Sequence, residues 1–397
     1  MIGGGQAGLA MSAELRQRGR EHLVLERGRI AERWRSERWD SLHFQFPNWM
    51  LRLPGWAYAG SDPDGFMHRD DVVAFIASYA AAIAAPVWRG FDVTALDLAE
   101  EGRFRVQAGG LTFVARHVVV ATGPYQSARV PKAAAGIAAG ITQVTANRYT
   151  RPSELPPGDV LVVGSGGSGC QIVEDLLLHG RQVHFSLRRH RRVPRRYRGQ
   201  DFGQWDEEMG LTNRERDQIP PGFRAPLLTG VDGGHTVDLR SMADRGVRLL
   251  GSLRGIGDDR AHFNTDLNAN LAAGDAAYQD MIRAIDACIE ARGDNASNPG
   301  EFDMATATPA LTEVASLGLW RNGIRTVVWA LGYDYAFDWI HCPVLDENGA
   351  PLHQRGVTAV PGLYFLGLPR QHKVKSAFLW GVGEDAAYIA DRILERD

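Results

Sequence analysis

Six glycines in this sequence fall into two groups with the spacing G-x-G-x-x-G. They are Gly3, Gly5, Gly8, Gly164, Gly166 and Gly169. Glycines at these positions allow a tight turn from strand to helix, a close approach of the backbone to a pyrophosphate, and close packing of the helix on the strand. The N–H groups at the start of such a helix attract the negative charge of phosphate. The chain is therefore predicted to bind two dinucleotides.

The second group lies between well-formed elements. An apolar strand over Val160–Val163 precedes it, a helix runs on to His179, Gly180 ends that helix, and a second strand covers Val183–Leu187. The residues predicted to contact a cofactor here are Gly164, Ser165, Gly166, Ser168 and Gly169.

Arginines, not a carboxylate, follow the second strand of this unit. Ser186 is followed within three residues by Arg188 and Arg189. A carboxylate would bind a free ribose hydroxyl and repel a 2′-phosphate, whereas guanidinium groups bind that phosphate through charge-assisted hydrogen bonds. We therefore predict NADPH, with Ser186, Arg188 and Arg189 at its adenosine end. The region 188–198 holds seven arginines, and we assign the others to surface or interdomain contacts.

The first group has the opposite charge at the equivalent position. A helix-like run over 9–18 ends at Gly19, and the strand HLVLE ends at Glu26, where a carboxylate can accept hydrogen bonds from ribose hydroxyls. The predicted cofactor contacts are Gly3, Gly5, Gln6, Ala7, Gly8, Glu26 and Arg27. Two sites of opposite polarity in one chain indicate FAD at the first and NADPH at the second, with electrons passing between nicotinamide and flavin.

Only Met1 and Ile2 precede the first glycine turn, too few for a full strand. Two interpretations stay open. Either the protein starts before Met1 with a complete strand, which we expect because every later element of this domain is present, or the sheet lacks most of its central strand and holds FAD loosely. On the first interpretation, adding an apolar strand of about five residues raises flavin occupancy.

Composition limits the class of protein further. The chain has 397 residues, 44% of them hydrophobic, which is enough for a large core and two domains. A net charge of -3 gives no general attraction to nucleic acid or anionic lipid, and the apolar stretch 72–88 is interrupted by Pro86. The three cysteines have no metal-ligand spacing. We expect a cytoplasmic protein without a metal, a nucleic-acid partner or membrane attachment.

Several segments, taken in their order along the chain, resemble those of a known family. They are ERWRSERWDSLHFQFPNWMLRLPGW after the first glycines, VVVATGPY from Val118, and VVWALGYDY from Val327. Together with the two glycine groups, they make the whole chain resemble the class B flavoprotein monooxygenases, above all the bacterial flavin-containing monooxygenase-like proteins. The resemblance implies an α/β fold of two Rossmann-like domains, with the NADPH domain inserted into the FAD domain. The expected divisions are 1–150 and 326–397 for FAD and 151–325, with a helical insert, for NADPH.

The resemblance also implies particular residues. Further cofactor contacts are expected at Trp34, Thr122, Gly123, Gly332 and Ser376. Asn48 and Gln45 are expected to offer a polar group near the reacting end of the flavin. A long helix over 267–289, weakened at Gly274, is expected to pack in the core of the insert.

In the resembling enzymes, NADPH reduces FAD, O2 adds to the flavin, and one oxygen atom passes to a small amine or sulfur substrate. The expected partners are therefore O2 and such a small molecule, with a homodimer as a further expectation. The family's F-x-G-x-x-x-H motif is not kept: Ala139, Ile141 and Thr145 replace Phe, Gly and His, while Tyr149 holds the aromatic position. This departure leaves ketone insertion unsupported.

Two other functions stay open. An NADPH oxidase or flavin reductase would use both sites and release hydrogen peroxide, and a nucleotide-binding protein without turnover would use them for binding alone. A disulfide reductase is disfavoured, because such enzymes need a reactive cysteine pair and Cys170 has no partner nearby in the sequence.

Overall fold

The computed structural model describes residues 1–293 and 310–396. Its α-helices are α1 Gln6–Gln17, α2 Glu32–Ser36, α3 Arg69–Ala82, α4 Gly167–Leu178, α5 Phe202–Glu208, α6 Leu239–Asp244, α7 Leu267–Arg292 and α8 Val382–Leu394. Short 3-10 helices cover Asn48–Met50, Glu100–Gly102, Lys132–Gly136, Pro152–Glu154, Arg216–Gln218, Val231–Gly233, Trp320–Asn322 and Val374–Ala377.

The strands of the first half are β1 Val24–Glu26, β2 Arg52–Leu53, β3 Trp56–Ala57, β4 Val87–Arg89, β5 Val93–Leu98, β6 Phe104–Ala108, β7 Leu111–Ala115, β8 Val118–Val120, β9 Ser127–Ala128, β10 Thr142–Thr145 and β11 Asp159–Val163. Those that follow are β12 Val183–Ser186, β13 Arg196–Tyr197, β14 Gln200–Asp201, β15 Arg248–Leu250, β16 Leu253–Gly257, β17 Arg260–Phe263, β18 Ser316–Gly318, β19 Ile324–Trp329, β20 Tyr333–Asp334 and β21 Leu363–Phe365.

Ile2 stands at the centre of the first parallel sheet. β1 pairs with β4 and β8 pairs with β21, and Ile2 bridges β1 to β8 through Leu25 and Val120. The Ile2 N–H donates to the Val119 carbonyl at 2.9 Å, and the Gly3 N–H donates to the Leu25 carbonyl at 2.8 Å. Met1 also takes part, because its carbonyl accepts the Leu25 N–H at 2.9 Å. The segment from Met1 to Gly3 thus occupies the central position of a sheet in the order β4-β1-Ile2-β8-β21 and leads into the first glycine turn.

The second sheet contains the other glycine turn at its centre. Five parallel strands lie in the order β10-β19-β11-β12-β15, and β11 leads through Gly164 into α4. The chain then returns to the first sheet with β21. Two Rossmann-like units, one inserted into the other, are therefore confirmed. The divisions at residues 150 and 325 stay a prediction; β10 and β19 both pair within the second sheet.

The chain crosses between the two sheets twice, and the crossings run side by side. β9, after β8, pairs antiparallel with β20, which follows β19. Gly123 and Gly332 begin these crossings with φ of 73° and 85°, in the left-handed region that favours glycine. Both segments therefore turn sharply where they leave a parallel strand.

Two long helices bury apolar stripes in the core of the first unit. In α8, Ile389 and Ala390 are fully buried and α8 packs on α1. In α7, Tyr278 and Ile285 are also buried. The helix predicted over 267–289 is present and runs without a break through Gly274 to Arg292. At Gly274 the ring of His190 occupies the space that a side chain would need.

Within residues 1–293 and 310–396, no helix has the length and apolar character needed to cross a lipid bilayer.

Replacing Ile389 with alanine tests the packing of α8. The side chain is fully buried, so we expect Ile389→Ala to lower the free energy of unfolding by about 2–5 kcal/mol in urea titrations. Leu98→Ala is the control, because that side chain is 52% exposed; equal losses for both variants would contradict this packing.

Candidate active site

The two glycine turns have the same construction. Gly3 and Gly164 have φ of 111° and 113°, and a Cβ on either would meet a carbonyl oxygen at 2.6 Å and 2.4 Å. A Cβ on Gly8 would lie 1.9 Å from the Gly3 oxygen, and one on Gly169 would lie 1.8 Å from the Gly164 oxygen. Each helix therefore touches the strand before it, backbone to backbone, and a larger residue does not fit.

The middle glycine of each turn faces open space instead. A Cβ on Gly5 or Gly166 would meet no atom within 4 Å, and both residues are extended at the N-cap of their helices. Neither helix has a side chain that caps these N–H groups. Free N–H donors beside open space at a helix start fit a pyrophosphate group. Both turns therefore suit a dinucleotide.

Glu26 completes the first turn. Its Oε2 accepts the Gly4 N–H at 2.6 Å and its Oε1 accepts the Gly28 N–H at 2.7 Å. These bonds hold the carboxylate at the end of β1, and each oxygen keeps acceptor capacity for a ribose hydroxyl. Arg27 lies beside it and forms an ion pair with Glu37 at 3.6 Å. The acidic end of the site is thus fixed by the backbone of its own loop.

One cavity of about 550 Å³ extends from the first turn to the helix of the second. The predicted site residues that line it are Gly3, Gly5, Gln6, Ala7, Glu26, Arg27, Trp34, Gln45, Thr122, Gly123 and Ser168. Gly8, Asn48, Gly164, Ser165, Gly166, Gly169, Ser186, Arg188, Arg189, Gly332 and Ser376 are not among its lining residues. The cavity thus extends from the first glycine turn to α4, and the residues predicted for the adenosine end of the second site do not line it.

The two candidate polar residues of the loop after Trp34 differ in their surroundings. Gln45 lines the cavity. Asn48 is buried, donates from Nδ2 to the Asp62 carbonyl at 2.9 Å and accepts the Met67 N–H at 2.7 Å. Both ends of the Asn48 side chain are therefore occupied in holding its own loop, whereas Gln45 faces the space where a ligand would lie.

Arg188 and Arg189 follow β12 beside the second turn. The Ser165 hydroxyl accepts the Arg188 N–H and donates to the Arg188 carbonyl, both at 2.9 Å, which fixes this segment to the glycine loop. Both guanidinium groups are exposed. Ser186 is buried and donates to the Gly251 carbonyl at 2.9 Å.

The other five arginines of this segment have partners within the protein. Arg191 lies over the Phe223 ring, Arg192 pairs with Asp238, Arg195 with Asp201 and Arg198 with Asp286, and Arg196 donates to the Gly233 carbonyl. Among the described residues, neither Arg188 nor Arg189 forms an ion pair within 4 Å. Arg192 and Arg195 are buried, so not all of these arginines lie at the surface. The role of Arg188 and Arg189 at a cofactor stays a prediction.

The C-terminal segment meets the first turn through Gln6, whose Nε2 donates to the Ala377 carbonyl at 2.6 Å. Ser376 is buried, and its Oγ accepts the Lys373 N–H at 2.9 Å, so it shapes the turn that precedes α8. Gly332 opens the second crossing, where its carbonyl accepts the Arg129 N–H at 2.9 Å.

Sequence reasoning missed an aromatic wall of the cavity, formed by Phe44, Phe46, Phe378 and Trp380. The Trp380 ring centroid lies 4.6 Å from that of Phe46 and 4.7 Å from that of Phe378. Two segments more than 300 residues apart form this wall, so no local pattern predicts it. Gln171 was also missed, although its position three residues after Ser168 places both on one face of α4.

Relatives of known sequence agree with this architecture. A model of the pyridine nucleotide-disulphide oxidoreductase family matches residues 1–200. An uncharacterised CzcO-like oxidoreductase of Geobacillus kaustophilus is 32% identical over 397 residues, which cover 99% of this chain and 97% of that protein. The indole-3-pyruvate monooxygenase YUCCA1 of Oryza sativa subsp. japonica is 33% identical over 192 residues, 47% of each chain.

Solved structures share the fold. A flavin-containing monooxygenase from Stenotrophomonas maltophilia superposes with a TM-score of 0.68 at 20% identity, covering 100% of this chain and 97% of that one. OTEMO, in a complex with FAD and NADP, gives a TM-score of 0.55 at 14% identity, covering 100% and 84%. The chain belongs to the pyridine nucleotide-disulphide oxidoreductase family, and its predicted resemblance to flavoprotein monooxygenases is confirmed.

Alanine at the third glycine of each turn tests the two sites separately. Because a Cβ on Gly169 would overlap the Gly164 oxygen, we expect Gly169→Ala to weaken NADPH binding at least tenfold and leave FAD retention unchanged. Gly8→Ala should have the reverse effect. Gly257→Ala, where a Cβ meets nothing within 4 Å, is the control. Fluorescence titration of each variant with FAD and with NADPH measures the two affinities. Loss of both affinities in one variant would contradict separate sites.

Proposed function

We propose that the protein is an NADPH-dependent flavoprotein monooxygenase that transfers one oxygen atom from O2 to a small nitrogen or sulfur nucleophile. The observation that carries this proposal is the shared cavity: Gly5 and Gln6 of the first turn and Ser168 of α4 line the same space. A nicotinamide bound at the second turn can therefore reach a flavin bound at the first. The family membership and the monooxygenase relatives support the reaction class.

FAD belongs in this proposal to the first turn and NADPH to the second. Glu26 suits the free ribose hydroxyls of FAD, and the exposed pair Arg188 and Arg189 suits the 2′-phosphate of NADPH. Bound at the first turn, FAD would supply the redox chemistry: it would accept a hydride from NADPH and pass both electrons to O2, so that, with one proton from solvent, one oxygen atom would leave as water and the other would enter the substrate. The protein's task is to bind, orient and shield these groups.

The aromatic wall is suited to excluding water from the reacting end. Phe44, Phe46, Phe378 and Trp380 present ring surfaces to the cavity, and each is buried or half-buried. Exclusion of water protects a reactive oxygen donor from wasteful breakdown. Gln45 provides a polar group on the same loop. Its Nε2 lies close to Gly167 at the start of α4, since a Cβ built on that glycine would be 3.3 Å away. We assign it the orienting role that the sequence left open between Gln45 and Asn48.

An NADPH oxidase that releases hydrogen peroxide is the second candidate. Thr145 occupies the place of the family's histidine, and its hydroxyl bonds Asn147 Oδ1 at 2.7 Å within its own turn. The missing histidine therefore keeps an oxidase as the second candidate. A cytoplasmic location and a homodimer also stay part of the proposal. Cys170, Cys288 and Cys342 are free thiols, as expected in a reducing compartment.

Oxygen and peroxide assays separate these functions. The FAD-loaded protein is expected to oxidise NADPH and consume O2, and a sulfide or amine substrate is expected to raise that rate and suppress hydrogen peroxide. Methyl phenyl sulfide and trimethylamine are the first probes, and product is quantified against NADPH consumed. Full conversion of O2 to hydrogen peroxide with every probe would favour the oxidase. Absence of NADPH oxidation would leave a nucleotide-binding protein.

Removing both exposed arginines tests the assignment of NADPH. Each charge-assisted hydrogen bond to a phosphate contributes about 1.5–3 kcal/mol, so we expect the Arg188→Gln, Arg189→Gln double variant to lower kcat/KM for NADPH about 100-fold and leave that for NADH nearly unchanged. Arg283→Gln, on the exposed face of α7, is the control. An equal loss for both nucleotides would contradict recognition of the 2′-phosphate.

A further inference from the structure

A buried carboxylate joins three separate segments at the boundary between the two units. Asp175 on α4 accepts the Tyr149 hydroxyl at 2.5 Å through Oδ2 and the Ser41 hydroxyl at 2.8 Å through Oδ1. Ser41 belongs to the loop after Trp34, and Tyr149 to the connection that enters the second unit. The Asp175 side chain is 3% exposed and Tyr149 is 1% exposed. One carboxyl group therefore connects the loop after Trp34 to α4, the helix of the second turn.

The neighbours of this carboxylate line the cavity. Trp39 and Leu42 lie within two residues of Ser41 in the sequence, and both line the cavity. Ser168 and Gln171 line it from α4, seven and four residues before Asp175 and on the same helical face. A displacement of α4 relative to Ser41 would therefore change the width of the cavity between the two cofactor sites.

Packing and backbone bonds surround the same point. Trp39 and Leu42 belong to the same apolar cluster of the second unit as Cys170 and Ile172. The Asp40 N–H donates to the Thr150 carbonyl at 2.8 Å. The loop after Trp34 is thus embedded in the second unit, although its following residues, including Phe44, belong to the core of the first.

The hydrogen-bond chemistry suits a rigid connection. Burial raises the pKa of Tyr149, and the bond to Asp175 raises it further, so the hydroxyl stays protonated and donates at all ordinary pH values. A buried carboxylate is costly unless strong donors surround it. Two hydroxyl donors from two segments meet that need only when α4, the loop and the connection are all in place.

We propose that Asp175 is a positioning residue that sets the separation between the nicotinamide and flavin sites through Tyr149 and Ser41. The inference rests on the proposed function, since it concerns hydride transfer between those two sites. Transfer is efficient only when the reacting atoms are about 3–3.5 Å apart, and a displacement of 1 Å costs on the order of 100-fold in rate. Asp175 does not contact the cavity; its effect passes through α4 and the loop.

Tyr149→Phe tests the connection with little change in packing. We expect the rate of anaerobic flavin reduction at saturating NADPH to fall about tenfold, while the Kd for NADPH stays within twofold, because Arg188 and Arg189 are untouched. Ser41→Ala should act in the same direction, and the double variant should lose less than the product of the two. The control is Tyr197→Phe, which removes a hydroxyl bonded to Asp286 at 3.0 Å, a contact that does not involve the loop after Trp34.

A second readout needs no turnover. In the flavin-free protein, Tyr149→Phe is expected to speed hydrogen exchange at the Asp40 and Leu42 amides and in α4, and Tyr197→Phe is not. Wild-type protein that NADPH fails to reduce would contradict the proposed function. Wild-type protein that is reduced, with Tyr149→Phe reduced at the same rate and exchanging at the same speed, would overturn the positioning role of Asp175.

Discussion

Close contact between the backbone of a helix and the backbone of the strand before it is the constraint on which both halves of this protein depend. The Gly8 and Gly169 contacts leave no room for a Cβ. Because the helix starts so near the sheet, its free N–H groups open directly onto the C-terminal edge of the strands. The same geometry occurs twice, and one cavity extends from the first turn to Ser168 and Gln171 on the helix of the second.

The sequence predicted what depends on local spacing. The glycine turns, the Glu26 terminus of β1 and the arginine pair after β12 are short-range patterns with a physical meaning, and the resemblance supplied the insertion of one unit into the other. The sequence also distinguished Arg188 and Arg189 from five other arginines, and the fold gives each of those five a partner within the protein. Position next to a strand end was sufficient for this, since that position decides what the side chain can reach.

Features that depend on distant segments could not be predicted in the same way. The aromatic wall combines residues near 45 with residues near 379, and the Asp175 connection joins Ser41 to Tyr149. Nothing in either segment indicates its partner. The central place of Ile2 is similar. The sequence has two residues where a strand was expected, and in the structure the Ile2 and Gly3 N–H groups donate to the Val119 and Leu25 carbonyls on the two neighbouring strands. The surroundings of Asn48 were not predictable from the sequence either. Its two polar side-chain atoms bond to the backbone of Asp62 and Met67.

The proposed function requires that two dinucleotides occupy this protein together and meet in one cavity. Equilibrium binding of NADP⁺ to the FAD-loaded protein, followed by flavin absorbance and by the nucleotide content of the protein after rapid filtration, tests it most directly. We expect one FAD and one NADP⁺ per chain, with a shift of the flavin spectrum as NADP⁺ binds. Release of FAD in proportion to the NADP⁺ bound would show competition for a single site and would contradict two separate sites.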